Sequence, residues 1–122
     1  MHAPSPHDSG FGLVVERSEG AVVVAVSGDL DLFSAPEVRE HLVAEANAGA
    51  HGIVVDLERC SFVDAAGTAA ILTAGRRCRA RGCELVVAAP TEPVTRLFDV
   101  LGLGELMRVA PTRAEALAAV AD

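Results

Sequence analysis

The hydrophobic pattern begins with two segments that have the character of β-strands. Residues 11–17 alternate weakly between apolar and polar, residues 18–20 are turn-forming, and residues 21–26 are almost entirely valine and alanine. An unbroken apolar run of this length is typical of a strand buried on both faces of a sheet. We therefore predict a β-hairpin whose first strand adds an antiparallel edge to the sheet.

Helical and strand-like segments then alternate to the end of the chain. Three short apolar segments have the length of buried strands: residues 53–57, 85–89 and 106–109. Four segments carry apolar residues at helical spacing: residues 34–48, 65–81, 94–101 and 112–120. Strands separated by helices of this length pair mostly in parallel. The predicted fold is α/β, a mixed, mostly parallel sheet flanked by about four helices in the order ββαβαβαβα.

The helix starts carry recognisable capping residues. Ser34 and Glu37, like Thr112 and Glu115, have the spacing of a capping box, in which the hydroxyl accepts a free backbone amide. Asp64 is placed to cap the second helix, with the amides of the following three residues at the positive end of the helix dipole. Within the helices we expect Leu101, Leu117 and Val120 to face the core.

Length and composition limit the classes of protein to consider. The 122 residues, 51% of them hydrophobic, suit one domain, which we place at residues 11–122 after a flexible arm at residues 1–10. Seventeen acidic residues against ten basic ones disfavour nucleic acid as a partner, and the only aromatics are four phenylalanines. No apolar run approaches the length of a membrane span, and the first ten residues do not resemble an export signal. We expect a cytoplasmic protein without membrane insertion.

Candidate catalytic and metal-binding groups are scattered along the sequence. None of the four histidines neighbours a nucleophile in a strand–turn–helix elbow, so we expect no enzymatic activity. Cys78 and Cys83 are too far apart for a zinc knuckle, and we expect no metal and no cofactor. Cys78 falls on the inward stripe of its helix, whereas Cys60 precedes a predicted loop and is expected to be partly exposed.

The outer face of the second helix is unusual. It consists of small residues followed by arginines: Ala65, Ala66, Ala69, Thr73, Arg76, Arg77 and Ala80. One interpretation is that alanine is simply the best helix former. The other is that the face is a flat docking surface that another protein approaches closely. The pattern alone leaves both open.

Four segments in order and register resemble the STAS-domain anti-sigma factor antagonists. They are Gly-Asp-Leu-Asp at 28–31 followed by Ser-Ala-Pro at 34–36, Val-Val-Asp-Leu at 54–57, Phe-Val-Asp-Ala-Ala-Gly at 62–67, and Val-Thr-Arg-Leu-Phe-Asp-Val-Leu-Gly-Leu at 94–103. The similarity runs from about residue 13 to residue 120. It implies a mixed sheet flanked by helices, in agreement with the element order above.

The resemblance also implies a function. Members of this family bind a cytoplasmic anti-sigma factor, usually a serine kinase, and so free a sigma factor. Carried over by position, the resemblance places the partner-binding edge at the loop of residues 29–33 and at the turn of residues 64–67. Together with the outer face of the second helix, the predicted partner-binding residues are Asp29, Asp31, Phe33, Ser34, Asp64, Ala65, Ala66, Gly67, Ala69 and Thr73. An alternative is an accessory subunit of a lipid-transport or a ligand- or nucleotide-sensing assembly, since similar domains occur there.

The chain departs from the family at the phosphoacceptor. The family's turn is usually Asp-Ser-Ser/Thr-Gly, and Ala66 stands where the kinase would phosphorylate a hydroxyl. The usual phospho-switch therefore cannot operate at this position. Ser61, Thr68 and Thr73 are the nearest hydroxyls, and we expect Thr68 to be buried. Whether any of the three is phosphorylated stays open.

Overall fold

A computed structural model describes residues 10–121, so the predicted arm, apart from Gly10, lies outside the described residues. The five strands are β1 (Gly12–Ser18), β2 (Ala21–Leu30), β3 (Gly52–Val63), β4 (Glu84–Ala88) and β5 (Arg108–Ala110). The four helices are α1 (Ala35–Asn47), α2 (Ala65–Ala80), α3 (Glu92–Leu101) and α4 (Arg113–Val120), with a 3-10 turn at Leu103–Glu105. The predicted order ββαβαβαβα is confirmed.

The strands form one sheet in the order β1-β2-β3-β4-β5. β1 pairs with β2 antiparallel, as predicted for the hairpin, and the remaining three pairs are parallel. Each parallel pair is joined through a helix, which is the connection that parallel neighbours require. The carboxyl ends of β2, β3 and β4 consequently lie along the same edge of the sheet, where the candidate site is found.

Side chains of the central strands alternate between two hydrophobic cores. The larger core, under α1, α2 and α3, takes Val24 of β2 and Val55 of β3, whereas Val23 and Val54 face the smaller core under α4. This alternation explains why β2 and β3 are apolar at nearly every position, because both faces of the sheet are covered by helices.

Two strands extend beyond their predicted ends. β2 continues to Leu30 and β3 continues to Val63, with irregularities in the register that bring Asp29 opposite Phe62. The residues after Leu57 include several polar ones because this end of β3 pairs with β2 alone and is partly uncovered. The prediction for Cys60 was wrong: it lies inside β3 and is fully buried.

Predictions at the helix ends were confirmed in part. Asp64 accepts the Gly67 amide and Thr112 accepts the Glu115 amide, as predicted. Ser34 makes no side-chain cap for α1, because its hydroxyl bonds within the preceding loop instead.

Near the carboxyl end, the last strand begins two residues later than predicted. Val120 is buried, as predicted. Leu101 is exposed at the end of α3 and Leu117 is only half-buried, because Ala116 is the other inward position of α4.

A buried carboxylate ties α4 to the sheet. Asp56 is 4% exposed; its carboxylate accepts from Arg113 Nε at 2.7 Å and from the Glu58 amide at 2.9 Å. We expect Arg113→Ala to lower the free energy of unfolding by about 1–3 kcal/mol, less than for a fully buried pair because Arg113 is partly exposed. Urea unfolding at neutral pH measures this. Adding Asp56→Asn should restore part of the loss, and an unchanged unfolding midpoint in Arg113→Ala would contradict the assignment.

Candidate partner-binding site

The candidate site lies where the ends of β2 and β3 meet the start of α2. Two connections form it: the loop between β2 and α1, and the turn from β3 into α2. The Asp64 amide donates to the Leu30 carbonyl at 3.2 Å, so the turn is fastened to the end of β2. This parallel edge is where open α/β sheets commonly place their functional residues.

Asp64 organises the turn with both carboxylate oxygens. Oδ1 accepts from the Gly67 amide at 2.9 Å and so caps α2, while Oδ2 accepts from the Leu32 amide at 3.1 Å. The Asp64 carbonyl also accepts from the Thr68 hydroxyl at 3.0 Å. One side chain therefore holds the β2–α1 loop against the amino terminus of α2.

Gly67 allows the helix to approach the strand. A Cβ added at this position would lie 2.4 Å from the Leu30 carbonyl oxygen and 2.7 Å from Leu30 Cγ. Real Cβ atoms do not come so close to backbone, so any larger residue would force α2 away from β2. Glycine is required here by close packing.

The β2–α1 loop is held by its own polar side chains. Asp31 Oδ1 accepts from the amides of Phe33 and Ser34 at 3.0 and 3.2 Å. The Ser34 hydroxyl donates to the Asp29 carbonyl at 2.8 Å and accepts from the Asp31 amide at 2.9 Å. Ser34 is buried, and its bonds inside the loop are the reason that it does not cap α1. The loop is thus a rigid support for the residues at its tip.

Large apolar side chains are exposed on this loop and at the end of β3. Leu32 is 64% exposed, Phe33 56% and Phe62 50%. Beside them, the exposed Ser61 donates to Asp29 Oδ1 at 3.4 Å, which ties the end of β3 to the end of β2. Exposed apolar groups concentrated in one place are typical of interaction surfaces.

The outer face of α2 continues this surface. Ala65, Ala69 and Thr73 are exposed, as the helical spacing predicted, whereas Ala66 is half-buried. Thr68 is 4% exposed, in agreement with its prediction as a buried residue. We call Leu32, Phe33, Phe62, Ala65, Ala69 and Thr73 the turn surface.

The structure separates the predicted partner-binding residues into two groups. Exposed or half-buried positions that a partner can touch are Asp29, Asp31, Phe33, Asp64, Ala65, Ala66, Ala69 and Thr73. Ser34 and Gly67 are buried and act by positioning the loop and the helix. Nine of the ten belong to the two adjoining connections or to α2, and Asp29 lies at the end of β2.

Leu32 and Phe62 belong to the surface but were not singled out from the sequence. Both are large apolar residues next to polar or acidic neighbours, a signal that equally fits a core position. The pairing of Asp29 with Phe62 in the sheet and the hydrogen bonds of Asp64 to residues 30 and 32 bring the two connections together.

Features of other site classes are not found in the described part of the chain. Within residues 10–121, no group of three or more His, Cys, Asp and Glu side chains is placed to hold a metal ion. No helix in that range combines the length and the apolar character that crossing a membrane requires.

Comparison with known proteins identifies the family. A family model for the STAS domain matches residues 13–116. This chain belongs to the STAS domain family. The anti-sigma-B factor antagonist of Listeria monocytogenes is 30% identical over 104 residues, which cover 84% of this chain and 90% of that protein.

Solved structures agree with the assignment of a STAS domain. An anti-sigma factor antagonist from Mycobacterium paratuberculosis superposes with a TM-score of 0.85 at 26% identity, covering 98% of this chain and 100% of that one. The Bacillus anti-sigma factor antagonist SpoIIAA, in its unphosphorylated form, gives a TM-score of 0.76 at 28% identity and covers 89% and 96% of the two chains.

The hydroxyls near the turn of this STAS domain differ in accessibility. Ser61 and Thr73 are exposed, one before the turn and one on α2, whereas Thr68 donates to the Asp64 carbonyl and is buried. Ala66 presents only a methyl group at the second position of α2. The first turn of α2 therefore offers no exposed hydroxyl.

Proposed function

We propose that this protein is an anti-sigma factor antagonist that binds an anti-sigma factor through the turn surface and so releases a sigma factor. The observation that carries the proposal is the exposed apolar group of Leu32, Phe33 and Phe62 beside the alanine face of α2. The similarity to the Listeria and Bacillus antagonists supports the same role. In this proposal the protein is a regulatory binding protein of the cytoplasm and not an enzyme.

The turn surface has the properties that a protein interface needs. Its apolar side chains would be removed from water on binding, which favours association by about 25 cal/mol per Å² of apolar area. Ala65 and Ala69 have short side chains, so a partner can come close to the helix backbone. The Asp64 and Asp31 hydrogen bonds keep the surface in one conformation, which lowers the entropic cost of binding.

We further propose that the partner is a kinase-type anti-sigma factor and that binding escapes phosphorylation at the turn. In the family a phosphate at the position of Ala66 would add a charge of about −1.5 to −2 to the interface, which disrupts packing against a partner. SpoIIAA has been solved in both its unphosphorylated and phosphorylated forms. This chain has no hydroxyl at that position, so the antagonist would stay in its binding form.

We expect that a kinase-type anti-sigma factor from the same organism binds the wild-type protein but does not phosphorylate it, and that Ala66→Ser restores phosphorylation. The substitution adds a hydroxyl where the family's acceptor lies, at a small cost in helix propensity. Binding is measured by isothermal titration, and phosphate by mass spectrometry after incubation with ATP.

The matched control is Ala65→Ser, which places a hydroxyl on the adjacent residue and should remain unmodified. A phosphate on Ser61, Thr68 or Thr73 of the wild-type protein would contradict the loss of the switch. Failure to bind any anti-sigma factor, together with binding of a nucleotide or a lipid-transport subunit, would favour the alternative role.

A further inference from the structure

Two of the three cysteines meet at the carboxyl end of α2, far from the turn surface. The Sγ atoms of Cys78 and Cys83 are 3.2 Å apart, and both residues are buried. Their sequence spacing fits no metal-binding motif, and it is the reversal of the chain after α2 that brings them together. Cys78 is 13 residues beyond Ala65, the first residue of α2, so it lies roughly 20 Å along the helix axis from the amino terminus.

The backbone geometry holds the pair in place. The Cys83 amide donates to the Cys78 carbonyl at 2.8 Å and the Gly82 amide donates to the Arg79 carbonyl at 3.2 Å. Together with the positive φ of 76° at Gly82, these bonds form a Schellman motif, in which the residues at the positions of Cys78 and Cys83 contact each other. A disulfide of about 2.05 Å requires the two sulfurs to approach by roughly 1 Å from their present separation.

We propose that Cys78 and Cys83 are a redox-active dithiol that hydrogen peroxide converts to an intramolecular disulfide, fastening α2 to the start of β4. Oxidation begins at Cys83, which lines an open cleft with Arg79 and Arg108, whereas Cys78 is fully enclosed.

Disulfide formation takes two chemical steps, and hydrogen peroxide is the only reagent that they consume. The Cys83 thiolate attacks one oxygen of the peroxide, the O–O bond breaks, and hydroxide leaves as water once protonated, giving a sulfenic acid. Cys78 Sγ then attacks the Cys83 sulfur, the S–O bond breaks, and a second water leaves with the Cys78 proton. Burial raises the pKa of both thiols, so the first step is slower than for a free cysteine.

The consequence is a reversible gain in stability. The disulfide closes a six-residue loop and restricts the unfolded chain, which should raise the melting temperature by roughly 5 °C. The turn surface lies at the other end of α2 and is not part of the expected change.

Trypsin digestion tests the proposal directly. Arg79 and Arg81 lie between the two cysteines, so trypsin separates them into different peptides unless a disulfide joins them. The folded protein is treated with peroxide, and the cysteines that remain as free thiols are blocked with iodoacetamide. After trypsin digestion, the peptides are analysed by mass spectrometry with and without dithiothreitol. We expect a linked peptide containing Cys78 and Cys83 that dithiothreitol releases, together with the rise in melting temperature.

Three variants that each lack one cysteine test which thiols form the disulfide. Cys60→Ser should leave the linked peptide unchanged, because Cys60 Sγ donates to the Phe62 carbonyl, whereas Cys78 and Cys83 contact each other. Cys78→Ala should stop oxidation at a Cys83 sulfenic acid that dimedone traps, and Cys83→Ala should abolish both products. Alkylation of both cysteines after peroxide treatment, or a link that involves Cys60, would overturn the proposal; a linked peptide without a higher melting temperature would overturn its stabilising role.

Discussion

We expect the Ala69→Glu variant to lose affinity for the anti-sigma factor by about 100-fold or more while its melting temperature stays close to that of the wild type. Ala69 is exposed in the middle of the turn surface, so a glutamate there both blocks close approach and buries an unpaired charge in the interface. The fold should tolerate the change because glutamate is nearly as good a helix former as alanine. Titration of the partner and thermal melting on the same samples measure the two effects.

Ala80→Glu is the matched control for this prediction. It makes the same substitution at another exposed alanine of α2, roughly 16 Å further along the helix axis, and should bind normally. Ile71→Glu, on the fully buried face of the same helix, should instead unfold the domain. If Ala69→Glu binds as well as Ala80→Glu, the alanines serve only as helix formers and the interface lies elsewhere.

The second large effect is expected from the two glycines inside α2. Gly67→Ala should lower the free energy of unfolding by about 1–3 kcal/mol, because its Cβ would lie 2.4 Å from the Leu30 carbonyl oxygen. Gly75→Ala should raise the free energy of unfolding by about 0.5–1 kcal/mol, since a Cβ there meets nothing within 4 Å and alanine is the better helix former.

Chemical denaturation of the two variants separates packing from helix propensity. The same substitution in the same helix should change stability in opposite directions, and Gly67→Ala should also weaken partner binding because it displaces the amino terminus of α2 from β2. Equal stabilisation by both substitutions would mean that α2 does not pack against Leu30 as described.

Local patterns in the sequence predicted most of the architecture. Three kinds of signal depend on residues close together in the chain. They are the apolar runs of β2 and of the first half of β3, the helical spacing in α1 and α2, and the caps at Asp64 and Thr112. Short-range periodicity and capping therefore sufficed to order the elements. The family resemblance also predicted that both connections of the candidate site bind the partner.

Contacts formed in the folded chain, between strands and within a loop, decided what the sequence missed. Cys60 was expected to be partly exposed, yet it is buried because β3 continues beside β2 as far as Val63. Ser34 had the spacing of a capping residue, but its hydroxyl finds partners in its own loop, where Asp31 already accepts the neighbouring amides. For Cys60 the deciding contact is the pairing of β3 with β2, and for Ser34 it is the hydrogen bonding inside the loop. The spacing of residues along the sequence shows neither contact.

By itself, then, the sequence determined the order of strands and helices, the outward alanine face of α2 and the loss of a hydroxyl at Ala66. Only the tertiary structure decided that Leu32 and Phe62 share one surface and that Cys78 touches Cys83. The physical reason is that burial and contact depend on which backbone groups meet across the sheet and at the helix ends. Residues 30 positions apart, or on either side of a chain reversal, leave no periodic signal of their proximity.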